Sequence, residues 1–168
     1  MSVMSLTIDA ESVDAPLLRL VATALDNADT ASWLIQRGGV WVGGRRVRDS
    51  AAVVAAGATV VIQRPPDGRY RDPIVIPARI LYEDDDLIAL DKPPGEYVEA
   101  TPWDAEGHLR AALARFLHSR DGVTPVLHLA HRLDRDTSGV LLLSKAPAVN
   151  GALQQAFEHG LAVKSYLA

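Results

Sequence analysis

The sequence predicts an α+β fold, and three observations carry that reading. Apolar residues recur at helical spacing over Leu17, Leu18, Val21 and Leu25, and again over Leu109, Ala112, Leu113, Phe116 and Leu117. Between these runs the period changes to two. Val40-Trp41-Val42 and Arg46-Val47 flank Gly43-Gly44, a dipeptide that supplies the positive backbone angles of a two-residue hairpin. Short apolar runs at Ile80-Leu81-Tyr82, Leu87-Ile88-Ala89-Leu90 and Val140 to Leu143 read as further strands.

Composition limits what such a chain does. With 168 residues and 48% hydrophobic content, it has material for a real core in one domain or one and a half. The absence of cysteine removes a disulfide framework and any thiolate metal site, in keeping with a reducing cytoplasm. Met1 to Asp14 lacks the basic region and apolar core of a signal peptide, and no run is long enough to span a membrane. The formal net charge of −4 argues against indiscriminate nucleic-acid binding, so any RNA contact must come from local basic patches.

Taken in order, the first helix begins near Pro16, which a first turn tolerates. Asp29 or Thr30 is expected to cap a second helix with Ala31, Leu34 and Ile35 on its inner face and Gly38 or Gly39 at its end. After the hairpin, Ala58 to Ile62 reads as a closing strand. Pro65-Pro66-Asp67-Gly68 and Asp72-Pro73 then punctuate a linker. Two strands meet at the acidic tip Glu83 to Asp86, and Asp91-Lys92-Pro93-Pro94-Gly95 ends the second. Beyond the helix around Leu113, Pro125 restarts the chain as a strand whose alternation, Leu127, Leu129, His131, Leu133, places Arg132 and Asp134 on one face. Asp136-Thr137-Ser138-Gly139 reads as a tight connection into Val140 to Leu143, a strand apolar enough for cover on both faces. Pro147 opens a last helix with Val149, Leu153, Ala156 and Phe157 inward, and Val163 to Ala168 begins another strand.

The nonapeptide His131-Arg132-Leu133-Asp134-Arg135-Asp136-Thr137-Ser138-Gly139 is where chemistry concentrates. By spacing alone, Arg132 and Asp134 are a surface ion pair as readily as a site. A protein-kinase catalytic loop is excluded, because Leu133 separates Arg132 from Asp134 and no glycine-rich loop over a strand precedes it. The whole stretch resembles the active-site motif of RNA pseudouridine synthases of the large-subunit type, and that resemblance assigns the catalytic carboxylate to Asp134. Asp91-Lys92-Pro93-Pro94-Gly95 is similar to the same family's Lys-Pro-x-Gly stretch, although Glu96-Tyr97-Val98-Glu99 stands where the family tends to place a histidine-containing loop. Lys164-x-Tyr166-Leu167-Ala168 is similar to its basic-x-Tyr motif, which implies an active-site ring at Tyr166. The three motifs span Ile80 to the terminus, about the first half of that catalytic domain. The resemblance therefore implies an incomplete domain, a mixed and largely antiparallel sheet with flanking helices, inactive and aggregation-prone when expressed alone.

Leu17 to Gln63, two helices, a glycine hairpin and a final strand, resembles the small RNA-binding module named after ribosomal protein S4. The module's usual Ser-Arg pair opening the second helix is replaced by Asn27-Ala28-Asp29. Arg37 and the hairpin residues Arg45, Arg46 and Arg48 remain as candidates for phosphate contacts, or as a solvated rim. The expected organisation is an S4-like domain over 1–64, a linker over 65–78 and the synthase segment over 79–168.

Converting uridine to pseudouridine breaks the bond from the anomeric carbon to the base nitrogen, turns the base and rejoins it through a ring carbon. No cofactor is required. A carboxylate serves by attacking the sugar, attacking the base, or supporting an oxocarbenium-like or glycal route. The target base must first leave its stack, and Arg132 is suited to filling the gap or binding phosphate, Tyr166 to stacking on the base. The bland alternatives are an ion pair for Arg132 and a sheet tyrosine for Tyr166. His128 and His131 would face opposite ways on a strand, so no metal site is expected, and Glu83 to Asp86 lacks the spacing of a calcium loop and reads as a solvated tip. Trp33 and Trp41 read as core or rim packing, and Trp103 as a further ring able to stack. Two functions follow as expectations: a cytoplasmic isomerase acting on ribosomal or transfer RNA, monomeric when complete and free of metal, or a truncated RNA-binding protein without catalysis.

Overall fold

The computed structural model describes residues 2–8 and 15–167; the sequence readings at Met1, Asp9 to Asp14 and Ala168 lie outside the described residues. The chain divides into two compact units, Met1–Arg71 with Ala100–Gly107, and Asp72–Glu99 with His108–Ala168. The break after Arg71 falls inside the expected linker. Residues 100–107 were expected in the synthase segment and lie instead with the first unit.

The first unit is a four-stranded antiparallel sheet, in the order β1-β4-β2-β3, with two helices. Its strands are β1 (Ser2–Thr7), β2 (Val40–Val42), β3 (Arg45–Arg46) and β4 (Thr59–Arg64). Gly43 and Gly44 turn the hairpin at φ 54° and 78°, angles that a Cβ makes costly. Helix α1 (Leu17–Leu25) starts after Pro16, and α2 (Ala28–Arg37) is capped by Asn27, whose side chain accepts from the Thr30 N–H at 2.8 Å. The cap thus lies two residues before Asp29 and three before Thr30, the two expected caps. Leu17, Val21, Ala31, Leu34 and Ile35 pack with Val40, Val60 and Ile62 of the sheet. Each large side chain buried this way contributes about 2 kcal/mol. Strand β1 was not foreseen.

Residues 101–106 tie down the basic side chains of this unit. Asp104 accepts from Arg37 Nε at 2.9 Å and from the Glu106 and Gly107 backbone N–H groups at 2.9 and 2.8 Å. A side chain at Gly107 would collide with the Arg71 carbonyl, Asp104 and Arg37. Trp41 Nε1 donates to Pro102 O at 2.7 Å, Arg46 to Thr101 O, and Arg48 pairs with Glu106 at 2.6 Å.

The second unit is a four-stranded antiparallel sheet in the order β5-β6-β8-β7, made of β5 (Ile80–Glu83), β6 (Leu87–Lys92), β7 (His128–Leu129) and β8 (Gly139–Ser144). Ile88 opposite Leu143 and Leu90 opposite Leu141 share one face. Helix α3 (Leu109–Asp121) covers it with Leu109, Leu113 and Leu117. The other face is not fully covered: Val140 is 56% exposed, so the expectation that β8 is buried on both sides is corrected. Helix α4 (Pro147–Glu158) shelters Val149, Leu153, Ala156 and Phe157 only partly.

Two further expectations are corrected. The strand read through Leu133 ends at Leu129, and 130–138 is a loop. Its physical cause is local: His131 Nε2 accepts the Leu142 N–H at 3.1 Å, taking the β8 donor that a longer β7 would have used. Residues 163–167 form no strand, and Val163 and Leu167 are exposed. Among the described residues no helix is long and apolar enough to cross a membrane.

Candidate active site

The 130–138 loop lies between β7 and β8, and Lys92 anchors it. Lys92 ends β6 opposite Gly139 and is fully buried, its ammonium donating to the carbonyls of Pro93, Arg135 and Thr137 at 3.1, 2.8 and 2.8 Å. Burial pushes its pKa below the ordinary lysine value. The Gly95 N–H adds a second bond to Arg135 O at 2.8 Å, so Asp91-Lys92-Pro93-Pro94-Gly95 acts as a backbone cradle for the loop. Nothing in the sequence marks Lys92 as buried; a lysine at the end of an apolar strand is ordinarily a solvated one.

Asp134 is held on both sides. Leu133 before it is buried in the unit's core, Arg135 after it is held through its carbonyl, and the Thr137 N–H closes a turn onto Asp134 O at 3.1 Å. The Asp134 side chain is exposed and makes no hydrogen bond or ion pair among the described residues. The neighbouring Asp136 is different, being paired with Arg135 at 2.8 Å. A fixed backbone presenting one unpartnered carboxylate suits nucleophilic or electrostatic chemistry on an incoming group.

Arg132 is also exposed, with its guanidinium 3.8 Å from Glu99. With Glu99, Arg110, His128, His131 and Gln154 it lines a cavity of about 600 Å³. His128 and His131 thus share a cavity wall, contrary to the opposed faces a strand would give them. Their nitrogens do not converge on a free site: His131 Nε2 is bonded to Leu142 N–H, and His128 Nε2 is buried without a partner. Among the described residues no three His, Cys, Asp or Glu side chains form a metal-binding group. His131 also stacks on Phe157 at 4.6 Å, and its burial lowers its pKa below the usual imidazole value.

Tyr166 lines a second cavity, of about 290 Å³, together with His131, Ser138, Gly139 and Phe157. The ring is therefore beside the C-terminal flank of the Asp134 loop. In the first unit, Arg37 has a side chain only 15% exposed, committed to Asp104 and flanked by the Trp33 and Tyr70 rings at 5.6 and 5.8 Å. Arg46 and Arg48 carry the bonds described above, and Arg45 is exposed at the hairpin tip. Trp33 is 42% exposed and Trp103 is buried.

The sequence is similar to known proteins. Residues 86–168 match the family model described as RNA pseudouridylate synthase. An uncharacterized RNA pseudouridine synthase of Aquifex aeolicus is 30% identical over 136 residues, covering 79% of this chain and 43% of that protein. RNA pseudouridine synthase 1 of Arabidopsis thaliana is 44% identical over 89 residues, with 53% of this chain and 24% of that protein covered. Ribosomal large subunit pseudouridine synthase C of Vibrio vulnificus is 33% identical over 146 residues, covering 80% and 44%. The chain spans less than half the length of these curated relatives. The segment 86–168, which carries Lys92, the Asp134 loop and Tyr166, is thus the part of the chain that is similar to the RNA pseudouridine synthases.

Proposed function

We propose that this protein isomerises uridine to pseudouridine in ribosomal or transfer RNA, with Asp134 as the reacting carboxylate. The observation that carries the reading is Asp134 itself: an exposed, unpartnered acid on a backbone held by buried Leu133 and by the Lys92 cradle. The reaction conserves every atom of the nucleotide, so cofactor and metal are absent from the proposal. The carboxylate either attacks the anomeric carbon or the base, or stabilises a cationic sugar, while the base turns and reconnects through carbon. Arg132 takes the place of the extruded base or meets a phosphate, and Tyr166 stacks on the base.

The first unit is proposed as an S4-type RNA-binding module acting in the cytoplasm on a monomeric protein. Arg45, Arg46 and Arg48 at its hairpin supply the contact charge, and Arg37, already engaged by Asp104, contributes field more than direct bonds. The test is to change codon 134 so that the source cell makes Asp134→Asn, and to map pseudouridine across its ribosomal and transfer RNAs. Loss at one or more defined positions, with protein level and RNA binding retained, is the expected result. An unchanged map would leave the non-catalytic RNA-binding reading in its place.

A further inference from the structure

The 600 Å³ cavity holds an arrangement of which the catalytic reading uses Arg132 but neither Glu99 nor Arg110. Glu99 lies between two guanidiniums, its Oε1 3.6 Å from Arg110 Nη1 and its Oε2 3.8 Å from Arg132 Nη1. Both separations are beyond hydrogen-bond reach. Carboxylates with a structural duty in this unit are held much closer: Glu83 accepts from Arg120 at 2.7 and 2.8 Å, and Glu96 from Arg79 at 2.7 Å. Glu99 is held loosely, by charge alone.

The two arginines, in contrast, come from well-fixed backbone. Arg110 lies in the first turn of α3, where Leu109 and Arg110 N–H groups donate to Tyr97 and Val98 carbonyls at 2.8 and 3.2 Å and His108 Nδ1 accepts from Ala111 N–H. The segment that carries Glu99 is thereby bonded to the turn that carries Arg110. Arg132 stands next to buried Leu133 and two residues from Asp134. Its side chain is 73% exposed and that of Arg110 is 39% exposed, so both are open to an incoming anion. A phosphodiester, with two non-bridging oxygens and a full negative charge, satisfies such a pair better than a carboxylate at these distances.

Resting on the reading of this protein as an RNA-modifying enzyme, we propose that Arg110 and Arg132 form a seat for one backbone phosphate of the RNA and that Glu99 occupies the seat until the phosphate displaces it. Glu99 is then a positioning residue that keeps Arg132 pointed at the seat in the free protein and lowers affinity for RNA by competing for it.

Binding of the full chain to a fluorescein-labelled single-stranded RNA, followed by anisotropy over a range of salt, tests this without any turnover. Removing the competing charge in Glu99→Gln should tighten binding about three- to tenfold at low salt. Arg110→Gln should weaken binding by a similar factor and make the log–log salt slope shallower by roughly 0.7, the release of one counterion set. In the double variant the gain from Glu99→Gln should vanish, because no seat remains to compete for. The same gain with and without Arg110 would show a general charge effect and overturn the proposal, as would unchanged affinity in Glu99→Gln. Thermal melts of each variant exclude misfolding as the cause. Coupling between Glu99 and Arg110 in a chain that leaves pseudouridine maps unchanged would keep the seat and remove only the catalytic reading.

Discussion

Lys92 and His131 show how single residues hold the Asp134 loop in place. Replacing Lys92 with Met keeps the bulk but leaves the Pro93 and Thr137 carbonyls without the lysine donor and the Arg135 carbonyl with the Gly95 N–H alone. Unsatisfied buried acceptors cost about 1–3 kcal/mol each, so Lys92→Met should lower stability by roughly 2–4 kcal/mol after removal of the buried charge is credited. Denaturant melts measure this, and a variant as stable as the parent would mean the cradle is not needed. His131 gives the loop a pH dependence. Desolvation lowers its folded pKa below 6.5, and the Lys164 charge acts in the same direction, against a backbone hydrogen bond at Arg132. The unfolded chain therefore takes up the proton first as pH falls. Stability linked to this ring is fully present above 6.5 and is lost on acidification through the folded value, as protonation removes the acceptor for Leu142 N–H. His131→Gln, which keeps an acceptor and does not titrate, should flatten the fall in stability as pH drops below 6.5. An unaltered slope would place the pH dependence elsewhere.

At the scale of elements, the β5–β6 tip is a clamp. Glu83 pairs with Arg120 of α3 at 2.7 Å and with Lys145, just after β8, at 2.9 Å. Hydrogen bonds from Arg120, and then Lys145, hold its carboxyl down to about 2 from the usual 4.5. The clamp's stability is present above the ordinary carboxylate value and is lost as pH falls toward about 2. Glu83→Gln should cost about 1 kcal/mol at neutral pH, less as pH drops through that window, and less in high salt. Equal cost at pH 7 and pH 2 in chemical-denaturation curves would exclude the ion pair as its source. The tip read as merely solvated, because Glu83-Asp84-Asp85-Asp86 looks uniform in sequence and Arg120 is 37 positions away. Helices α1 and α3 and the Gly43-Gly44 hairpin were legible, since spacing and glycine angles act locally. Strand β1 was not: Val3 and Met4 are 50% and 41% exposed, and the strand exists for its backbone pairing with β4. The alternation from Leu127 to Leu133 read as one strand; both leucines are buried, at 6% and 9% exposed, but the strand ends at Leu129 and a loop follows. Of the site, the Asp134 motif was readable as a linear pattern. The Lys92 cradle and the Glu99 pairing with Arg110 and Arg132 join distant segments and were not.

The whole chain consists of two antiparallel units with separate cores, the first completed by residues 100–107 supplied from far along the sequence. That insertion explains why a boundary near residue 64 describes the first unit incompletely: Asp104, Thr101 and Pro102 are partners of Arg37, Arg46 and Trp41. In the second unit the Lys92 and Gly95 bonds and buried Leu133 fix the backbone of the 130–138 loop, while the Asp134 carboxylate has no partner among the described residues. The central claim is that this unpaired acid, and not its neighbour, performs the chemistry. Tritium release from RNA labelled at uracil carbon 5 compares Asp134→Asn with Asp136→Asn directly, each in the most active form of the protein that can be prepared. Asp134→Asn should abolish release while still binding RNA, whereas Asp136→Asn, which loses the pairing with Arg135, should retain release within about tenfold. Release surviving in Asp134→Asn, or lost only in Asp136→Asn, would contradict the assignment.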